Sequence, residues 1–152
     1  MKRIIYAAAL LIGITFLATS CTKVTIQTTP ASLTGSWVLS DAAHKDAYGW
    51  YTVNTGIENG VFYFYDNGTA KYVENGTTLS GSWNIQTSVE GYYDEYGTWY
   101  VNAHQALSIH VSNYSGSDVV DMYFDNVKIG NNSFVGTNYN KDYIGRYRFS
   151  RY

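Results

Sequence analysis

Short runs of alternating apolar and polar residues recur from Leu33 to the end of the chain. Valine, isoleucine, tyrosine and phenylalanine dominate these runs, and asparagine and glycine separate them. This pattern predicts half-buried β-strands, and no sustained spacing of three and four residues predicts a helix. The predicted strands are Gly35 to Ser40, Gly49 to Val53, Val61 to Tyr65, Thr69 to Glu74, Thr77 to Gln86, Gln105 to Ser112, Asp118 to Phe124, Val127 to Ile129, Ser133 to Asn138 and Asp142 to Ser150. Asp41 to Tyr48 is expected to be a helical turn or a lid.

Three Asn-Gly pairs follow one another at a spacing of eight residues: Asn59-Gly60, Asn67-Gly68 and Asn75-Gly76. Asn-Gly suits the positive φ angles of a type I′ turn, which joins two antiparallel strands through a two-residue loop. The three pairs therefore predict consecutive hairpins.

Alternation also predicts which side chains face inward. The inward set consists of Trp37, Leu39, Phe62, Phe64, Trp83, Ile85, Leu107, Ile109, Val111, Val120, Met122, Phe124, Tyr147 and Phe149. Many short strands with polar turns predict an all-β fold, either a sandwich or an antiparallel up-and-down β-barrel. The barrel is favoured because closure removes exposed sheet edges. An interior filled by side chains and one that holds a small ligand are both compatible with this pattern.

A different pattern occupies the amino terminus. Lys2 and Arg3 precede an apolar run from Ile4 to Leu17, which is shorter than the roughly 20 residues of a membrane-spanning helix. The run ends in Leu17-Ala18-Thr19-Ser20-Cys21, which resembles the lipobox of bacterial lipoproteins. That resemblance implies cleavage after a signal peptide over residues 1–20 and acylation of Cys21. The polar, threonine-rich residues that follow predict a flexible tether over residues 21–32, ahead of a β-domain over residues 33–152. A plain signal peptide beside a free cysteine is the alternative.

The lipobox resemblance also implies a location. Two or more acyl chains hold a protein stably on a membrane, so the protein is expected to bind the membrane through lipid on Cys21. In bacterial lipoproteins, a residue other than aspartate directly after the lipidated cysteine favours the outer membrane, and Thr22 is such a residue. Lys23 is the only charged residue between Cys21 and Asp41. An acidic cluster just after the cysteine marks lipoproteins exported to the cell surface in some Gram-negative lineages, so its absence here favours the periplasmic face.

Composition narrows the classes of partner. The 152-residue chain has 14% charged and 17% aromatic residues, 12 acidic against 10 basic side chains, and one cysteine. Without Lys2 and Arg3 the balance becomes still more acidic, so no nucleic-acid partner is expected. A single cysteine excludes an internal disulfide, and no metal or other cofactor is expected.

The folded part resembles the small lipocalin-like lipoproteins of Gram-negative bacteria. The resemblance rests on Leu33-Thr34-Gly35-Ser36-Trp37, on Asp66-Asn67-Gly68-Thr69, on Gly81-Ser82-Trp83 and on an aromatic last strand with a late arginine. It implies a barrel of about eight strands. It also implies a stack of Arg151 on Trp37, and a small apolar ligand held inside. The interior residues expected to line such a ligand are Trp37, Phe62, Phe64 and Trp83.

An aromatic stretch from Glu90 to Tyr100 contains five aromatic and three acidic side chains. Aromatic faces with polar tips suit sugar stacking or protein contact, and flanking acids can bind hydroxyl groups or cations. The candidate recognition residues are Tyr92, Tyr93, Tyr96 and Trp99. The alternative is a long hairpin loop whose aromatic rings cover a barrel end.

No enzymatic activity is expected. Asp94 and Glu95 are adjacent, so on a strand they diverge rather than flank a single bond. His104 and His110 could share a strand face, yet no zinc-site spacing, nucleophile elbow or phosphate loop is present. The main hypothesis is a lipoprotein that binds a small apolar ligand. The alternatives are a cell-envelope module that recognises protein or glycan, and a hydrolase.

Overall fold

The structure, a computed structural model, describes residues 32–152. The predicted signal peptide, Cys21 and almost all of the predicted tether lie outside the described residues. Within the described part, all regular structure is β and no helix is present. The strands are β1 (Gly35–Asp46), β2 (Gly49–Thr52), β3 (Val61–Phe64), β4 (Thr69–Glu74), β5 (Thr77–Ser88), β6 (Gly91–Tyr93), β7 (Trp99–Val101), β8 (His104–Ser112), β9 (Val119–Phe124), β10 (Asn126–Ile129), β11 (Ser133–Asn140) and β12 (Tyr143–Arg151).

Ten of these strands form one antiparallel sheet. Its pairing order is β10-β11-β12-β1-β3-β4-β5-β8-β9, with β2 paired to the far part of β1. Strands β6 and β7 form a separate two-stranded hairpin. The predicted all-β antiparallel class is therefore confirmed.

The closed barrel that the pattern predicts is not found. The pairing path ends at β9 on one side and β10 on the other, and no ladder joins these two strands in residues 32–152. Asp125 alone separates them in sequence, and the chain changes partner there, from β8 to β11. Side chains cover this β9–β10 seam: the ring of Phe124 lies over Gly136, and Asn138 Nδ2 donates to the Tyr123 carbonyl at 3.4 Å.

The expected helical turn or lid at Asp41 to Tyr48 is wrong, because β1 continues as a strand to Asp46. A β-bulge between Leu39 and Asp41 shifts the register against β12. Ser40 stabilises it by donating from Oγ to the Arg148 carbonyl at 3.0 Å. The bulge moves the buried positions out of simple alternation, which is why the sequence no longer resembles a strand beyond this point.

Two of the three Asn-Gly pairs form the predicted hairpins. Asn75 and Gly76 have φ angles of 49° and 80° and make the two-residue loop between β4 and β5. Asn67-Gly68 lies in the longer loop of residues 65–68 between β3 and β4, where Gly68 has a φ of 79° but Asn67 has no positive φ, so the predicted two-residue type I′ turn does not form there. The prediction for Asn59-Gly60 is wrong, because β3 pairs with β1 rather than with β2. Gly60 instead leaves room for the Tyr72 ring, which a Cβ at that position would overlap.

The predicted inward face is confirmed at every position in the set. Its members are either buried in one hydrophobic core or partly buried against it. Phe134, which was not assigned to this face, stacks on Phe149 with ring centroids 4.3 Å apart and an interplanar angle of 8°. Trp37 meets Phe134 edge-on at 5.0 Å. Aromatic rings from strands distant in sequence therefore fill the space between the two sides of the curled sheet.

Candidate functional site

Three of the four predicted ligand-lining residues are core residues. Trp37 and Phe62 are 0% exposed and Phe64 is 1% exposed. Phe64 lies 6.0 Å from Phe62 and 5.7 Å from Trp83, centroid to centroid, so these rings contact one another. Trp83 is only half-buried and lines an open cleft of about 420 Å³ together with Leu33. These aromatic rings thus pack against one another in the core, and Trp83 lies at the edge of this cluster.

The predicted stack of Arg151 on Trp37 is confirmed. The guanidinium carbon lies 4.2 Å from the centroid of the indole ring. Arg151 also donates from Nη1 to the Thr34 carbonyl at 2.8 Å, and Trp37 Nε1 donates to the Leu33 carbonyl at 2.7 Å. A cation–π contact of this kind contributes about 0.5 to 2 kcal/mol. These contacts fasten the first residues of the domain to its last strand, which is a structural role.

The aromatic stretch forms the hairpin of β6 and β7, which we call the recognition hairpin (residues 91–101). Asp94 shapes its turn, because Oδ1 accepts hydrogen bonds from the backbone N–H of Tyr96 at 2.9 Å and of Thr98 at 2.8 Å. Gly97 completes the turn at φ 79°. The sequence predicted no strands here, since tyrosines and acids at successive positions lack a two-residue period.

The hairpin is fixed to the outer face of the large sheet. Thr137 of β11 is 1% exposed and donates from Oγ1 to the Tyr93 carbonyl at 2.6 Å. Glu95 lies 3.3 Å from the ammonium of Lys128 and 3.6 Å from the guanidinium of Arg148. Asp94 and Glu95 therefore serve the hairpin's own structure, and the expected role of these two acids in binding hydroxyl groups or cations has no support from their contacts.

The four candidate recognition residues divide into two pairs. Tyr92 and Tyr93 are half-buried, whereas Tyr96 is 70% and Trp99 51% exposed. The Trp99 ring lies across Gly91, where a Cβ would overlap it, and Tyr93 meets it edge-on at 4.9 Å. One side of the indole is thus held by the hairpin while half of the residue's surface remains open to solvent.

Two grooves flank the recognition hairpin. A groove of about 220 Å³ lies on the side of Tyr92 and Tyr100. A wider groove of about 500 Å³ lies on the side of Tyr96, and its polar walls include Lys128, Ser133 and Arg148. The sequence could not have identified these walls, because β10, β11 and β12 reach the hairpin only through tertiary packing.

The histidines do not converge. His104 packs on the Tyr92 ring at 4.2 Å, whereas His110 Nδ1 is hydrogen-bonded to Asp121 Oδ1 on the opposite strand. Residues 32–152 hold no group of three or more His, Cys, Asp or Glu side chains arranged to bind a metal ion. Nor does this part of the chain contain a helix long and apolar enough to cross a membrane.

Comparison of the chain with family models, with curated proteins and with solved structures finds no match. Of the surfaces described, the recognition hairpin combines exposed flat rings, a rigid support and flanking polar grooves.

Proposed function

We propose that this protein is a membrane-anchored, non-enzymatic lipoprotein whose recognition hairpin binds carbohydrate of the cell envelope. The proposal rests on one observation: Trp99 and Tyr96 present exposed rings on a hairpin that is hydrogen-bonded to the packed β-domain. Sugars bind such surfaces by laying their apolar C–H faces on aromatic rings while polar side chains meet their hydroxyl groups.

Rigidity strengthens this interpretation. The hairpin is held by the Thr137 hydrogen bond and by the contacts of Glu95 with two cationic side chains. A surface that is already ordered loses little conformational entropy when it binds, so a few stacking contacts suffice for useful affinity. The groove beside Tyr96 adds the hydroxyl group of Ser133 and the cationic side chains of Lys128 and Arg148, which also contact Glu95.

The interior is a weaker candidate. The lipocalin resemblance implies an apolar ligand there, yet Trp37, Phe62 and Phe64 are almost completely buried against other rings. A hydrolase would need two carboxylates across a cleft, whereas Asp94 and Glu95 are engaged in the turn and in ion pairs. Surface recognition is the function that these contacts favour.

Anchoring is proposed through acylated Cys21, with the protein in the outer membrane and facing the periplasm. The lipobox resemblance supports this anchor. Because the chain has more acidic than basic side chains, charge would not attract it to anionic lipid, and attachment to the membrane would depend on the acyl chains. Labelling of cells with a radioactive fatty acid should mark the protein, and Cys21→Ala should release it from membranes. An unlabelled protein, or a Cys21→Ala variant that stays membrane-bound, would contradict the anchor.

The binding proposal is tested by titrating the protein with two envelope glycans, soluble peptidoglycan fragments and the oligosaccharide part of lipopolysaccharide. Trp99→Ala should weaken binding of the recognised glycan about tenfold, the effect of losing one stacking contact of roughly 1.4 kcal/mol. Thr137→Val should weaken binding to a smaller extent, because it loosens the hairpin without removing an exposed ring.

Tyr114 provides the matched control, because its ring is fully exposed on the turn between β8 and β9, away from the hairpin. Tyr114→Ala should bind glycan as the unmodified protein does. Failure of both glycans to bind, or equal binding by Trp99→Ala and Tyr114→Ala, would rule out the hairpin as a carbohydrate site.

A further inference from the structure

A second open cleft lies at the end of the sheet opposite to Ser32. Its position follows from the strand directions, because the β4–β5 turn and the β8–β9 turn meet at that end. The cleft has a volume of about 550 Å³. We call it the mouth cleft; its main lining residues are Ile57, Tyr72, Glu74, Leu79, Asp118 and Val120.

Apolar side chains form its floor. Ile57 and Val120 are partly buried against the hydrophobic core, and Leu79 belongs to that core. Tyr72 is 4% exposed, with its ring 4.7 Å from that of Phe62. The floor of the cleft is thus continuous with the filled interior, and it offers an apolar molecule contact without access to the core itself.

Two acidic side chains, Glu74 and Asp118, line the cleft beside this floor. Glu74 accepts a hydrogen bond from the Tyr72 hydroxyl at 2.7 Å, and Asp118 accepts one from Asn113 Nδ2 at 2.8 Å. Burial raises the pKa of Tyr72, and the nearby carboxylates of Glu74 and Glu58 raise it further. The residues that line the cleft include no lysine, arginine or histidine. The lining of the mouth cleft therefore combines an apolar base with two carboxylates and no basic side chain, which favours a cationic ligand over an anionic one.

These carboxylates do not form a metal site. In the part of the chain that the structure describes, no three His, Cys, Asp or Glu side chains are placed to hold one ion. The charge is spread around the rim of a cleft large enough for an organic molecule, a volume typical of small-molecule sites. The complement of this surface is a bulky cation with an apolar body.

We infer that the mouth cleft binds a small amphipathic organic cation, whose apolar part rests on Ile57, Leu79 and Val120 while its ammonium group faces Glu74 and Asp118. This site is separate from the recognition hairpin, so it neither requires nor supports carbohydrate binding there. Attraction of this kind weakens as salt screens the carboxylates, since the Debye length is about 10 Å at 0.1 M salt.

The probes are three molecules of similar apolar size: benzyltrimethylammonium, neutral benzyl alcohol and anionic phenylacetate. Each is titrated into the full chain in nonionic detergent, with affinity measured by calorimetry and the site located by amide NMR shifts. We expect the cation to bind at least tenfold more tightly than either comparison molecule and to shift the amides of Leu79 and Val120. Tight binding by benzyl alcohol, or no cation binding at low salt, would overturn the inference.

Variants test whether the carboxylates at the rim of the mouth cleft are responsible for cation binding. Glu74→Gln with Asp118→Asn keeps both hydrogen-bond acceptors and should weaken cation binding about tenfold or more, because it removes both of the partly screened ion contacts that distinguish the cation from neutral benzyl alcohol. Asp142→Asn removes an exposed acid in the turn between β11 and β12 and should change nothing. Unfolding midpoints monitor the fold of each variant. Equal cation affinity of the double variant and Asp142→Asn would refute the site, whereas Trp99→Ala should leave it intact.

Discussion

Phe134→Ala tests whether the interior is filled by side chains. Phe134 is 0% exposed and stacks on Phe149 at 4.3 Å. It also contacts Trp37 edge-on at 5.0 Å and Phe64 at 6.4 Å. Removing this ring takes away the contact surface of three neighbours at once, none of which lies next to it in sequence.

The expected loss of unfolding free energy follows from the burial of the Phe134 ring. Burying a phenylalanine side chain contributes about 1.5 to 3 kcal/mol, at roughly 25 cal/mol per Å² of apolar surface removed from water. The cavity that remains adds to this cost, and phenylalanine-to-alanine changes in packed cores cost about 3 to 5 kcal/mol. In a hollow interior the neighbours would already lack contacts, and the loss would be far smaller. We therefore expect about 4 kcal/mol for Phe134→Ala, and about 1 to 2 kcal/mol for the milder Phe134→Leu.

The free energy of unfolding is measured by urea titration, with tryptophan fluorescence and circular dichroism as two probes of one transition. Tyr114→Ala, at a fully exposed ring, serves as the control and should change stability by less than about 0.5 kcal/mol. A loss below about 1 kcal/mol for Phe134→Ala would refute the filled interior and reopen the question of an internal ligand. If Phe134→Ala fails to fold, Phe134→Leu provides the measurement.

Two further predictions concern the backbone and pH. Gly81→Ala should cost about 2 to 3 kcal/mol in urea unfolding, because its Cβ would overlap the backbone of His110 on β8. Gly76→Ala should cost only about 1 kcal/mol, since space is free there and only its φ of 80° is unfavourable. Burial lowers the pKa of His44, so as the pH falls this histidine is protonated in the unfolded chain before it is protonated in the folded one. The free energy of unfolding should therefore fall as the pH drops below about 6.5. His44→Gln should lose less stability than the unmodified protein between pH 7.5 and 5.5; an equal loss would contradict this assignment.

Local patterning was sufficient to predict much of this fold. The residues on the inward face could be assigned because side chains alternate along each strand, whatever the strand pairs with. Asn75-Gly76 could be identified as a turn because its positive φ angles are a property of those two residues. The stack of Arg151 on Trp37 came from the lipocalin resemblance rather than from any local rule.

Long-range packing decided the features that the sequence missed. Asn59-Gly60 carries the same local signal as the other Asn-Gly pairs, yet its segment crosses to a strand that pairs with β1. The bulge near Ser40 is stabilised by a carbonyl on β12, 108 residues away. The seam at Asp125 arises because the strand changes neighbours, which depends on where β8 and β11 lie. None of these partners can be deduced from neighbouring residues.

The candidate sites show the same division. By itself the sequence determined that tyrosine and tryptophan cluster near residues 92–100, and its pattern around Cys21 predicts a lipid anchor. The tertiary structure decided which rings are exposed, because Thr137 and Glu95 hold the hairpin in one orientation. It also decided that side chains fill the interior and that the β4–β5 and β8–β9 turns meet at the mouth cleft. Alternation is a property of one strand, whereas volume and enclosure are properties of strands brought together by folding.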